Sequence, residues 1–188
     1  MTVHWPPSSL GLGTPLNLAL CSTESRALVR RVWWLAPVLG LFMPFLMLGV
    51  DHIFFAGASL RRVRQLGSEP LVFRLLIAVY SSLTEELVYR LLVSTLIAWL
   101  TYKILRSLGS SRKAVAQWLG ILAAALVFGL AHVGNLPDVP HPVLRAVTVN
   151  GVAGVILGWI YWWRGLELSI LTHGLAILVL YVAVPAFV

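Results

Sequence analysis

VWWLAPVLGLFMPFLMLGV, residues 32–50, runs for nineteen positions without a charged side chain. At about 1.5 Å per residue a helix of that length matches the roughly 30 Å hydrocarbon core of a bilayer. Pro37 and Pro44 do not disqualify it, because neighbouring helices can satisfy the backbone groups that a proline frees inside a membrane. The rest of the chain repeats the pattern. Leu75–Tyr102 is apolar except for Glu85, Glu86 and Arg90, Ala114–Ala131 is uncharged, and Ala146–Trp163 is interrupted only by Thr148 and Asn150. Leu168–Val188 is interrupted only by Ser169, Thr172 and His173. The expectation is an all-α, polytopic transmembrane helix bundle of about five spans.

Composition agrees. Of 188 residues, 59% are hydrophobic and 11% charged, with a mean hydropathy of +0.89, which leaves too little polar surface to cover a water-facing globule. Five spans consume most of the length and exclude a large extramembrane domain. Residues 1–31, with Pro6, Pro7 and Pro15, read as an N-terminal tail, and residues 32–188 as the membrane domain. No basic stretch precedes an apolar core in the tail, so it does not read as a cleavable signal peptide. The single cysteine, Cys21, excludes an internal disulfide. Residues 51–74, with Arg61, Arg62, Arg64 and Pro70, read as a loop along the membrane interface behind Ile53, Phe54 and Phe55.

The net charge of +7 lies in the segments between spans, where it answers to lipid headgroups and to the positive-inside rule; no nucleic-acid partner is expected. With strict alternation, Arg26, Arg30, Arg31, Lys103, Arg106, Arg112, Lys113 and Arg164 share one membrane face. The other face has Arg61, Arg62, Arg64, Arg74 and Arg145. This bias predicts a multi-pass protein of the cell membrane with a cytoplasmic N-terminus. Trp33, Trp34, Trp99, Trp118, Trp162 and Trp163 all fall on the richer face, as headgroup-level anchors do. Gly151, Gly154 and Gly158 permit close helix approach, read here as packing within the chain, so no homo-oligomer is predicted.

Ionisable groups at membrane depth carry the chemistry, because each costs about 2.5–3.5 kcal/mol at a span centre. Glu85 and Glu86 are splayed by about 100° around their helix and cannot share a role. Glu86 and Arg90 are four apart and can pair, which leaves Glu85 as the carboxylate without its own cation and the candidate general base. His132 closes the third span and His173 lies in the fifth. Counting rise from opposite faces puts Glu85 and His173 within roughly 5 Å in depth. His132 reaches them only by helix tilt or by continuation of its span toward Pro137. An ion cluster that merely holds helices, or a proton path in a small transporter, uses the same residues; five spans without an inverted repeat weigh against the transporter.

Glu85-Glu86-Leu-Val-Tyr-Arg90 as E-E-x-x-x-R, Phe128-Gly-Leu-Ala-His132 as F-x-x-x-H, and His173 in the last span together resemble the CPBP family of intramembrane proteases, which includes the CAAX prenyl endopeptidases and bacterial Abi proteins. The resemblance covers residues 75–180. It implies hydrolysis of a peptide bond in a peptide or membrane-protein substrate by a water that Glu85 activates. His132 would orient that water, His173 would stabilise the oxyanion, and Glu86 and Arg90 would form a supporting ion pair. A non-catalytic immunity or interaction protein is the other reading within the family. Four residues after the last histidine the family has Asn where this chain has Ile177, so Asn150 or Thr172 is expected to support the oxyanion instead. The preferred mechanism needs no cofactor; if zinc is used, Glu85, His132 and His173 are its expected ligands.

Overall fold

The computed structural model describes residues 33–135, 139 and 141–187. The tail at residues 1–31, together with Pro137 and Pro140, lies outside them. Helix α1 is Leu35–Phe55, α2 Ala58–Gly67 and α3 Leu71–Glu85. The chain then continues without a break through a π-helical segment, Glu86–Ser94, into α4, Thr95–Ser107. Helix α5 is Lys113–Ala131, α6 Pro142–Arg164 and α7 Leu166–Leu178, and α7 runs on through a π turn, Val179–Ala183.

Four of these stretches, Leu35–Phe55, Lys113–Asn135, Pro142–Arg164 and Leu166–Ala186, are long and apolar enough to cross a membrane. The remaining expected span is the α3–π–α4 rod, which packs against α5 and α7 and brings all three of its mid-span charges into the bundle. Phe42, Phe45, Val72, Tyr80 and Leu92 are at least 60% exposed, a lining that suits lipid rather than water. The protein is an all-helical, multi-pass membrane bundle.

One expectation fails. Residues 51–74 are not a loop: α1 continues to Phe55, α2 occupies most of the remainder, and α3 begins at Leu71. The reversal between α1 and α2 needs only Ala56 and Gly57, both left-handed at φ 55° and 68°. The Gly57 N–H returns to the Asp51 carbonyl at 3.2 Å, closing the end of α1. Asp51, read as the first loop residue, is fully buried near the end of α1. It accepts hydrogen bonds from Arg145 Nε at 2.6 Å and from the Ser59 N–H at 2.6 Å, and Arg145 also donates to Ser59 Oγ at 2.5 Å. A local reading missed this because Asp51 and Arg145 are 94 positions apart.

The helices meet through small residues. A Cβ added at Gly154 would stand 2.9 Å from the Ala125 Cα, and one at Gly158 3.0 Å from Ile121, so α5 and α6 approach through these two glycines. Gly151 is buried as well but packed more loosely, with the Ala125 carbonyl oxygen 3.8 Å from such a Cβ, so the close approach rests on the pair at the G-x-x-x-G spacing. Ala36 and Met43 of α1, Leu157 and Ile160 of α6, and Leu168 and Ala176 of α7 form one core cluster. Ala98, Ile121, Tyr161 and Trp162 form a second between α4, α5 and α6. Trp162 therefore departs from the expected interfacial row: it is buried and donates through Nε1 to Ser94 Oγ at 2.9 Å.

Candidate active site

Glu85 and Glu86 straddle the junction of α3 and the π segment, and their environments differ as the splay argument requires. Glu86 is wholly buried, whereas the side chain of Glu85 is 24% exposed. Glu86 carries a dense set of partners. Arg90 Nε lies 3.3 Å from its Oε2, the Ser169 hydroxyl donates to Oε2 at 2.5 Å, and His173 Nδ1 is 2.9 Å from Oε1. A carboxylate facing a guanidinium and a hydroxyl donor accepts from His173, so Nδ1 carries the hydrogen of that bond. His173 Nε2 is then the ring atom left to face Glu85, whose Oε2 it approaches to 3.8 Å. The depth arithmetic thus brought together two residues that do meet.

Arg90 is 1% exposed, and its nitrogens make no directed hydrogen bond among the described residues. Two other things hold it: the charge of Glu86, and the ring of Phe128, whose centroid lies 4.7 Å from the guanidinium carbon. Phe128 also packs at 5.1 Å from Tyr89, 4.6 Å from His132 and 6.2 Å from His173. It separates the buried ion pair from an open cavity.

That cavity is lined by Glu85, His132, His173 and Asn150 and, on another wall, by Met43, Met47, Ile177 and Leu180. His132 follows the end of α5 and leads into a short 3-10 turn, Val133–Asn135. Its Nδ1 is 2.7 Å from the Phe128 carbonyl. A carbonyl only accepts, so Nδ1 bears the hydrogen and Nε2 keeps its lone pair. Asn150 uses one amide hydrogen on the Ala146 carbonyl at 3.2 Å, which leaves a second. Thr172 is fully buried, lacks a partner for its hydroxyl among the described residues, and does not line the cavity. Ile177 does line it, so an apolar side chain occupies the position where the resemblance called for Asn.

Sequence reading overlooked Ser169. It lies one helical turn before His173 on the same face of α7, and that S-x-x-x-H spacing beside a buried carboxylate was the available signal. Among the described residues no three His, Cys, Asp or Glu side chains converge as metal ligands. The Glu85, His132 and His173 set does not fit that requirement, and no step below passes through a metal.

Residues 67–179 match the family model described as type II CAAX prenyl endopeptidase Rce1-like. No curated protein and no solved structure matches the chain.

Proposed function

Since the chain belongs to the Rce1-like family of type II CAAX prenyl endopeptidases, membrane proteases of multi-pass architecture, we propose that it hydrolyses a peptide bond with a water activated by Glu85. The observation that carries this reading is the asymmetry of the two adjacent carboxylates. Glu86 is fully engaged with Arg90, Ser169 and His173, while Glu85 faces the cavity with only His173 Nε2 nearby at 3.8 Å. A base needs an unengaged lone pair within reach of water, and of the two adjacent carboxylates Glu85 alone meets that condition.

In this mechanism Glu85 accepts one proton of the water as its oxygen attacks the substrate carbonyl carbon. The lone pair on His132 Nε2 accepts a hydrogen bond from the water's other O–H and fixes its direction. The carbonyl oxygen becomes an oxyanion, stabilised by His173 through Nε2 and by the second amide hydrogen of Asn150. Collapse breaks the C–N bond, and the proton held by Glu85 passes to the departing amine. One water is consumed, one acid and one amine leave, and Glu85 returns to its starting state. Ile177 supplies no donor, so Asn150 takes the oxyanion task that the resemblance gives to Asn at that place.

The test is cleavage of a membrane-protein peptide library by detergent-purified protein, comparing wild type, Glu85→Gln, and wild type with a zinc chelator. Cleavage lost in Glu85→Gln at unchanged thermal stability and retained with chelator is the expected result. Undiminished cleavage by Glu85→Gln overturns the assignment of the base, and loss with chelator overturns the metal-free route.

A further inference from the structure

Helix α2 is short, and its outward face is cationic. It carries Arg61, Arg62 and Arg64 and no acidic residue between Ala58 and Gly67. Ala58, Val63 and Leu66 are buried and hold it against the bundle, whereas Arg61 and Arg64 are exposed. Neither makes a salt bridge among the described residues.

Large apolar side chains flank it on both sides in sequence. Ile53 and Phe54 are 73% and 70% exposed before the reversal at Ala56 and Gly57, and Val72 is 68% exposed at the start of α3. A helix at the end of a membrane-crossing one, pinned on one face, cationic on the other, and bordered by lipid-facing apolar residues, lies at headgroup level. We propose that the exposed face of α2, through Arg61 and Arg64, binds the phosphate headgroups of anionic phospholipids.

Charge complementarity selects the occupant. A zwitterionic headgroup offers the arginines no net charge, while an anionic one beside the bilayer attracts each basic residue, and guanidinium matches phosphate geometry with paired donors. The site also touches the cavity, because Ser59, Arg62 and Val63 on the same helix form part of its wall. A lipid seated on Arg61 and Arg64 therefore steadies one wall of the chamber that holds Glu85 and His173. This inference stands on α2 alone and does not depend on the protease reading.

Native mass spectrometry of the whole chain in detergent, with phosphatidylglycerol and phosphatidylcholine competing in equal amounts, measures it without any activity assay. Wild type retains phosphatidylglycerol preferentially. The Arg61→Gln/Arg64→Gln variant, altered only at exposed side chains, loses that preference by roughly fivefold per arginine. Lys103→Gln/Arg106→Gln, at the far end of the α3–π–α4 rod, leaves it in place. Equal retention of the two lipids by wild type, or an unchanged preference in the α2 variant, overturns the proposal. So does equal loss in the Lys103/Arg106 control, or displacement of the lipid by inorganic phosphate, which marks a site for the free ion.

Discussion

Two neighbouring carboxylates with opposite surroundings define the site, and the sequence already separated them: Glu86 had Arg90 four residues on, and Glu85 had none. The third support of Glu86, the Ser169 hydroxyl, escaped notice because a serine in an apolar span reads as a tolerated interruption until its partner, 83 residues away, is known. Glu86→Ala leaves Arg90 buried without a counter-charge, a change that costs about 3–5 kcal/mol; in a detergent melt the variant unfolds far below wild type or fails to accumulate. Ser169→Ala removes one hydrogen bond to a charged group and costs about 1.5–3 kcal/mol. The same variant lowers kcat more than it raises KM, because Glu86 then holds the His173 ring with one anchor fewer. A melt and a progress curve on a cleaved peptide check both expectations, and a normal melt for Glu86→Ala refutes the buried-pair account.

At the scale of elements, helix existence was legible from apolar runs, but helix ends were not. Residues 51–74 looked like a loop because Arg61, Arg62, Arg64, Glu69 and Pro70 interrupt the apolar pattern. The structure instead uses one left-handed corner at Ala56 and Gly57 and places Asp51 and Arg145 as a buried bond across it. No local pattern announces a pair separated by most of the chain. The glycines of α6 show the same division. Gly154→Leu forces side-chain atoms into the Ala125 backbone and should cost about 1–3 kcal/mol by overpacking, whereas Gly151→Ala meets no atom within 3.4 Å and should melt like wild type. Paired melts of the two variants decide it, and equal destabilisation would show that the two glycines do not differ as their surroundings indicate.

For the whole molecule, composition alone indicated a membrane bundle, and the outward-facing aromatic and aliphatic side chains agree with that. Orientation rests on eight basic residues against five. Cys21, the sole cysteine, offers a direct check: a membrane-impermeant maleimide should label it only after cells are opened. Labelling in intact cells would overturn the expectation of a cytoplasmic N-terminus. What composition could not supply was the meeting of α3, α5, α6 and α7 around one cavity. Depth counting handled Glu85 and His173, which stand on regular helix, but not His132, whose place depends on where α5 stops and a 3-10 turn takes over.

The π-helical stretch from Glu86 to Ser94 bears on how this chain can change length over evolutionary time. A π turn accommodates more residues than an α turn, so losing one residue there would let the stretch relax into ordinary helix. Such a loss would leave Thr95 to Ser107 in phase with α3, whereas one residue lost from the regular helix of α3 would rotate everything beyond it by about 100°. That rotation would swing Ser94 away from Trp162, and Thr95 from the Tyr161 hydroxyl that it meets at 2.7 Å. A single-codon deletion in α3 should therefore be lethal to the fold, while one in the π stretch, or in the segment joining α4 to α5, should be better tolerated. A scan of in-frame deletions, scored by the amount of intact protein in the membrane, would trace the rigid interval directly.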